Sequence, residues 1–396
     1  MTQSIKALWP AATVNFFYYA ILGGLISYLA ILLSSRGFSS VEIGQVFAIF
    51  TIARVITGQL WAYLSDRQHN PLLFFQLGIG LAIACLLPSL FYQDKLITFV
   101  SVVSALTCFM SVISQIEVLS LFAVNDEPVL YNRVRLFGSV GFILAAIFIG
   151  WQIDHSGPEM ILIFAICVFI LILLVSLKLD NATARGEDQA LVADEPSFLS
   201  LCLAPGFIVF MLASILMQVS FAPYLGFFTK FLAENGYQGM SIGLLFSLGS
   251  VAEVALFVVA GHILARYNVR ILLFACLFMT AIRWLAVGYL VSHWWAVVLT
   301  QLIHALSFGL MHSTSIYFIR RHFTAAQQNR GQFMYLGVTF GLGGALGAAI
   351  TGVTWQGGEG SQFTYVWASA CALLGALLIF MTPARNFQYN SNASRL

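Results

Sequence analysis

Residues 160–175 of this sequence read MILIFAICVFILILLV and contain no charged side chain. A bilayer interior about 30 Å thick is crossed by roughly 20 apolar helical residues, so this run predicts a membrane-spanning helix. The composition extends that conclusion to the whole chain, because 60% of its 396 residues are hydrophobic and 9% are charged. Soluble proteins carry roughly 25% charged residues, which excludes a water-soluble protein. We predict an all-α polytopic protein of the cell (inner) membrane.

Apolar stretches of spanning length occur twelve times along the chain, with turn-forming clusters such as Ser34-Ser35-Arg36-Gly37 between them. The predicted transmembrane helices cover residues 8–33, 41–64, 72–91, 96–123, 133–153, 159–179, 203–231, 241–264, 271–291, 294–319, 331–353 and 363–382. The first of them is too long to be the apolar core of a cleaved signal peptide. It is therefore expected to remain as a span.

The distribution of Lys and Arg predicts the orientation, because cytoplasmic loops retain these residues during insertion. With the N-terminus inside, the outer loops hold Arg36, Lys95 and Lys230. The inner side then holds Lys6, Arg67, Arg133, Arg135, Lys178, Arg185, Arg266, Arg270, Arg320, Arg321, Arg330, Arg385 and Arg395. We predict that both termini are cytoplasmic, which requires an even number of spans.

The longest polar stretch runs from Asp180 to Pro196 near the middle of the chain and carries Glu187, Asp188, Asp194 and Glu195. It predicts a cytoplasmic linker, residues 180–200, between an N-terminal six-helix bundle, residues 1–179, and a C-terminal one, residues 201–396. Two short sequence matches indicate that the two halves are related by an internal repeat. Asp66-Arg67 after span 2 corresponds to Ala265-Arg266 after span 8, and Asn132-Arg133 corresponds to Asn329-Arg330.

Charged side chains inside the spans are few, and each costs roughly 2.5–3.5 kcal/mol at the bilayer centre on insertion scales. They are Arg54, Glu117, Glu253 and Arg283, with Arg135 just inside span 5, and span 10 adds the imidazole of His304. Such groups persist when they face a cavity, form ion pairs or carry out chemistry. Substrate or proton binding is one interpretation, and structural ion pairing within the bundle is the other.

Two segments resemble known transporters. The stretch from Ala62 resembles the loop motif G-x-x-x-D-R/K-x-G-R/K-R/K of the major facilitator superfamily, although Ala62 replaces the leading glycine and Gln68-His69-Asn70 replaces the basic tail. The resemblance implies that Asp66 and Arg67 act in conformational change, and a solvated loop acid is the other interpretation of Asp66. Tyr131-Asn132-Arg133-Val134-Arg135-Leu136-Phe137-Gly138 resembles the Y/F-G-R-x-R-x-F/W-G pattern of the lactose permease and its relatives, with Asn132 in place of the first glycine. In that family an acid on helix 4 and an arginine on helix 5 bind substrate, which implies this role for Glu117 and Arg135.

The resemblance is greatest to the phenylpropionate permease branch, beside the oligosaccharide and nucleoside proton symporters. It is carried by Asn15-Phe16-Phe17-Tyr18-Tyr19, Ala53-Arg54, Ala252-Glu253-Val254, Arg283 and Gln301-Leu302-Ile303-His304. It implies that Tyr19, Arg54 and Glu253 join the substrate site. It also implies that Arg283 and His304 belong to a proton-linked group.

The sequence departs from the lactose permease pattern around span 10. The Lys three residues before the histidine and the Glu three residues after it are here Gln301 and Ser307. The usual proton-carrying acid is therefore missing, so Glu253 or Glu117 must carry the proton if coupling is retained.

We therefore predict a secondary active transporter, a proton-coupled symporter that imports a small organic solute by alternating access. A phenylpropionate-like aromatic acid and a sugar both fit the residues. An exporter of the same fold or a sugar- or nucleoside-specific permease is the alternative, and an intramembrane lipid-modifying enzyme is a remote one.

The predicted partners are a small-molecule substrate, protons and the lipid bilayer, with the chain acting as a monomer. We expect no cofactor, because the proton gradient supplies the energy. No metal site is expected, because none of the six cysteines lies in a C-x-x-C pair. A net charge of +2 indicates no nucleic-acid partner.

Overall fold

The computed structural model describes residues 5–125, 127–181 and 196–387. Within these ranges the chain is helical, with no strand. Most of the predicted linker, including its four acids Glu187, Asp188, Asp194 and Glu195, lies outside the described residues, as do Arg185 and Arg395.

Twelve successive helices account for the predicted spans. They are α1 (Leu8–Ile26), α2 (Ser40–Gln68), α3 (Pro71–Phe91), α4 (Lys95–Ala123), α5 (Val129–Ser156), α6 (Met160–Ser176), α7 (Pro205–Glu234), α8 (Gly239–Arg266), α9 (Val269–Leu290), α10 (Trp294–His322), α11 (Gln328–Gly358) and α12 (Ser361–Met381). Among the described residues, eleven are long and apolar enough to cross a bilayer. The remaining helix, α6, is apolar but has 17 residues. The prediction of an all-α polytopic membrane protein is confirmed, and the cytoplasmic location of the termini stays a prediction.

Polar side chains at the helix starts explain where several spans begin. Before α2, Ser39 and Glu42 form a capping box, in which the Glu42 amide donates to the Ser39 hydroxyl at 3.3 Å. Before α4, the Asp94 carboxylate accepts from the amides of Leu96 and Ile97 at 2.8 and 3.0 Å. These contacts satisfy amides that the first helical turn leaves without a backbone partner.

The first predicted span, residues 8–33, is not one regular helix. α1 ends in a π-helical turn, Leu22–Ile26, and a short helix, Leu29–Ser35, follows it. Gly23 in this turn lies directly against the backbone of Phe142, at a place where a β-carbon would overlap the carbonyl group. This contact joins α1 to the distant helix α5, so the local hydrophobic pattern could not predict it.

The described chain divides into two compact units, and the predicted split into two six-helix halves stays a prediction. The first unit comprises Met1–Gly186 with Tyr224–Ser247, and the second comprises Glu187–Pro223 with Leu248–Leu396. Within the described residues, the chain passes between the units twice, once in α7 and once in α8. In α7 the boundary follows Pro223, a proline inside the helix.

In the first unit, the N-terminal end of α8 packs on α5 through backbone contacts. A β-carbon on Gly150 would overlap the carbonyl oxygen of Gly239, and one on Gly239 would overlap that of Gly150. The Asp154 carboxylate accepts from the amides of Gly239 and Met240 at 2.8 and 3.1 Å. This acid therefore supplies partners for amides at the positive end of the α8 dipole.

A buried arginine links three segments of the first unit. Arg36, whose side chain is 2% exposed, contacts both carboxylate oxygens of Glu159 at 3.0 and 2.5 Å. Its remaining nitrogen donates to the Thr98 hydroxyl at 2.9 Å. The two-pronged geometry, with the third contact, compensates the burial of the charge.

We predict that Gly150→Ala lowers the free energy of unfolding by about 1–3 kcal/mol, because the methyl group cannot fit between the two backbones. Gly80→Ala in α3 is the matched control, since no atom lies within 4 Å of its added β-carbon. The control is expected to stabilise the protein slightly, because alanine favours a helix over glycine. Thermal unfolding of the purified variants measures both changes, and equal melting temperatures would contradict the prediction.

Candidate functional site

The predicted acid and arginine of α4 and α5 are in contact. Both side chains belong to the first unit, on either side of the turn between Ala123 and Pro128. Nη1 of Arg135 donates to Oε1 of Glu117, and the hydroxyl of Tyr131 donates to Oε2 of the same carboxylate. Nη1 also lies 3.3 Å from the Tyr131 oxygen. The four atoms therefore form a closed hydrogen-bonded ring.

Tyr19 of α1 completes this cluster from the other side. Its hydroxyl accepts from Nη2 of Arg135 at 3.2 Å, and its ring centroid lies 5.9 Å from the guanidinium carbon. The side chain of Arg135 is 43% exposed and that of Glu117 is 33% exposed. The charges of this pair are thus compensated by each other and by two tyrosines, and both side chains remain partly exposed.

Arg54 of α2 lies in the same unit, near Tyr18. The arginine is half-buried, and it lies close enough to the Tyr18 hydroxyl for the two groups to interact electrostatically. Tyr18 is fully buried, and its hydroxyl has no hydrogen-bond partner among the described residues. In the part of the chain that the structure describes, no carboxylate lies within 4.0 Å of the Arg54 guanidinium.

Glu253 and His304 meet in the second unit. Nε2 of His304 lies 4.0 Å from Oε2 of Glu253, and the side chains are 11% and 20% exposed. Two glycines make this approach possible. A β-carbon on Gly309 would lie 2.9 Å from Cγ of Glu253, and one on Gly249 would lie 3.3 Å from Cδ2 of His304. Each helix thus presents a glycine to the ionisable side chain of the other.

Arg283 of α9 is fully buried in the second unit. Nε donates to the carbonyl oxygen of Thr300 at 2.8 Å, and Nη1 donates to the Ser307 hydroxyl at 3.2 Å. The guanidinium carbon lies 4.5 Å from the ring centroid of Trp284. The serine that replaces the expected acid after His304 is therefore a hydrogen-bond acceptor for this arginine.

The predicted conformational residues Asp66 and Arg67 lie at the C-terminal end of α2, and both side chains are exposed. The helix ends at His69, which adopts a left-handed conformation with φ of 51°. The structure thus places the motif at a helix end, as the sequence predicted. Its role in conformational change stays a prediction.

No role was predicted for Tyr131, although it is the first residue of the motif that contains Arg135. The signal was present, because Tyr131 precedes Arg135 by four residues and therefore shares a helix face with it. The roles of Gly249 and Gly309 had no comparable signal. They depend on which residue of the neighbouring helix lies opposite, and a single sequence does not contain that information.

We predict that Gly309→Ala lowers the free energy of unfolding by about 1 kcal/mol, because the added methyl group displaces Glu253. The Glu253→Ala background removes Cγ and with it the overlap. In that background, Gly309→Ala should be neutral or slightly stabilising. A double-mutant cycle by thermal unfolding measures the coupling between the two positions. Additive effects would show that the added methyl group at position 309 does not clash with Glu253.

Comparisons with known proteins agree on one class of protein. The model of the MFS_1 like family matches residues 8–367. A maltose permease of Geobacillus stearothermophilus is 27% identical over 390 residues, which cover 93% of this chain and 93% of that permease. The probable 3-phenylpropionic acid transporter of Escherichia coli (strain K12) is 26% identical over 244 residues, covering 58% of this chain and 60% of that protein.

A solved structure resembles this chain over nearly its full length. The crystal structure of the nucleoside transporter NupG has a TM-score of 0.79 and 15% sequence identity, and covers 98% of this chain and 100% of that one. At this identity the likeness concerns the fold alone.

Proposed function

This chain belongs to the MFS_1 like family, and from that premise we propose that it imports a neutral, hydroxylated solute, a sugar of the maltose class, together with protons. Its resemblance to the major facilitator superfamily is confirmed, and the chain is a multi-pass membrane transporter rather than an enzyme. The bacterial relatives indicate the inner membrane.

The observation that carries the substrate proposal is the neutralised pair of Glu117 and Arg135, with a tyrosine hydroxyl on each side. A sugar hydroxyl can donate to a carboxylate and accept from a guanidinium, so it suits both members of the pair. A carboxylate substrate at Arg135 would bring a second negative charge beside Glu117. Two like charges 4 Å apart repel by about 1 kcal/mol in water and about 4 kcal/mol at an effective dielectric constant of about 20.

The maltose permease that resembles this chain over 93% of its length supports the same substrate class. A second candidate, an aromatic acid, is favoured by Arg54. This arginine lies within a span with no carboxylate near it among the described residues, so it could bind the acid group of such a solute. The relative that is a probable 3-phenylpropionic acid transporter supports this reading.

For proton coupling we assign Glu253, with His304 as its neighbour 4.0 Å away. A buried carboxylate costs free energy unless a proton or a hydrogen-bonding partner compensates its charge. A change of surroundings during transport would therefore load and release a proton at this acid. Arg283, which donates to Ser307 three residues after His304, would act on the imidazole, and Glu117 would serve mainly the substrate. The proposal needs no cofactor, because the proton gradient drives the cycle of alternating access in a monomer.

We predict that Glu253→Gln abolishes accumulation driven by a proton gradient, because glutamine cannot exchange a proton. Uptake into proteoliposomes should fall to the level that an uncoupler produces in the unmodified protein. Exchange of labelled against unlabelled solute should continue, since it requires no net proton movement. The control is Glu359→Gln, at an exposed position between α11 and α12. Undiminished accumulation in Glu253→Gln would remove this acid from the coupling role.

We predict that maltose raises the melting temperature of the purified transporter, whereas 3-phenylpropionate does not. A ligand present at 100 times its Kd stabilises the folded state by about 2.7 kcal/mol. Arg54→Gln and Arg135→Gln provide the matched pair of variants. If the substrate is a sugar, the Arg135 variant loses the shift; if 3-phenylpropionate gives the shift and the Arg54 variant loses it, the aromatic acid is the substrate.

A further inference from the structure

The hydroxyl group of Tyr131 has the hydrogen-bonding pattern of a substrate hydroxyl. It donates to Oε2 of Glu117 and lies 3.3 Å from Nη1 of Arg135, from which it accepts. A sugar hydroxyl bound to this ion pair would make the same two contacts, one as donor and one as acceptor. The protein thus already supplies, from its own chain, the group that the pair is suited to bind.

The contacts of the pair show which position a ligand would take. Oε1 of Glu117 accepts from Arg135, and Oε2 accepts from Tyr131. Nη2 of Arg135 is engaged by the Tyr19 hydroxyl at 3.2 Å. Because Oε2 accepts no hydrogen bond from Arg135, a ligand hydroxyl that takes the place of the Tyr131 hydroxyl there leaves the ion pair intact. Tyr131 occupies that oxygen.

Tyr131 holds this position with its hydroxyl, while its ring packs against the apolar cluster of Ala11, Ala12, Val124 and Val134. It lies in the first turn of the helix that begins at Pro128, and its side chain is half-buried. Its neighbours Asn132 and Arg133 are exposed. Rotation about the side-chain bonds would move the phenol away from Glu117 while α5 stays in place. Glu117 is 33% exposed, so the vacated oxygen would remain accessible.

We propose that Tyr131 acts as a substitute ligand, which occupies Oε2 of Glu117 when the transporter is empty and is displaced by a substrate hydroxyl. The inference rests on the proposed function, because it requires a hydroxylated substrate at this pair. Tyr131 then sets the affinity for the substrate, because its hydroxyl competes with a substrate hydroxyl for Oε2 of Glu117. The empty pair keeps its hydrogen bonds, and the substrate gains only the difference between its own hydroxyl and that of the tyrosine.

The test is Tyr131→Phe, which keeps the ring and removes the competing hydroxyl. The expected result is tighter binding of maltose, with Kd and the KM of uptake lower by about three- to tenfold, the factor for one net hydrogen bond. The melting temperature of the ligand-free variant should fall, while the rise on adding maltose should grow. A tyrosine that merely holds the pair in place would give the opposite result, a higher KM.

Two further variants identify the oxygen involved. Tyr19→Phe removes a hydroxyl that contacts Arg135 rather than the carboxylate, and it should weaken binding. In the Glu117→Gln background, Tyr131→Phe should no longer tighten binding, because the oxygen for which both hydroxyls compete has lost its charge. Tightening that persists in this background would overturn the proposal.

The outcomes separate this inference from the proposed function. If the unmodified protein binds no neutral sugar, the substrate class is wrong and both fall. If it binds maltose and Tyr131→Phe weakens binding or leaves it unchanged, the substitute-ligand proposal alone is overturned. Should the variant fail to fold, fluorotyrosine at position 131 of the otherwise unmodified chain gives a second measurement. Its fluorine resonance should move on adding maltose, and an unchanged resonance would refute the displacement.

Discussion

An ionised side chain within an apolar helix bundle is stable only when neighbouring groups compensate its charge, and this constraint organises the interior of the protein. Arg283 meets it with a backbone carbonyl, a serine hydroxyl and the face of Trp284. Glu117 and Arg135 meet it with each other and with two tyrosines. The two arrangements differ in their exposure. Arg283 is fully buried, whereas the side chains of Glu117 and Arg135 are partly exposed.

The charged side chains of the bundle differ in solvent exposure, and this difference bears on what each can do. A charge saturated by partners and closed to solvent, such as Arg36 with Glu159 and Thr98, contributes to the packing of the helices that it joins. A pair that is saturated but reachable can exchange one partner for another. Glu253 and His304 are an intermediate case, since they are mostly enclosed and separated by a distance longer than a hydrogen bond.

The helices and the contact between Glu117 and Arg135 could be predicted from the sequence, because hydrophobic run length and the spacing across one tight turn are local properties. The close approach of Gly23, in the π-helical turn of α1, to the backbone of Phe142 could not, since it joins residues far apart in the sequence. The glycines opposite Glu253 and His304 were missed for the same reason, as they become significant only once α8 and α10 are placed side by side. Tyr131 is different, because helical spacing alone would have placed it beside Arg135.

The stacking of Arg283 on Trp284 has a practical consequence. The indole is fully buried, donates its N–H to the Ser220 hydroxyl at 3.2 Å, and lies 4.5 Å from a permanent positive charge. The excited state of an indole is sensitive to the electric field across its rings. A displacement of the guanidinium therefore shifts the wavelength of maximum fluorescence emission of Trp284. With the other seven of its eight tryptophans replaced, the chain would carry a native optical reporter of events around Glu253 and His304.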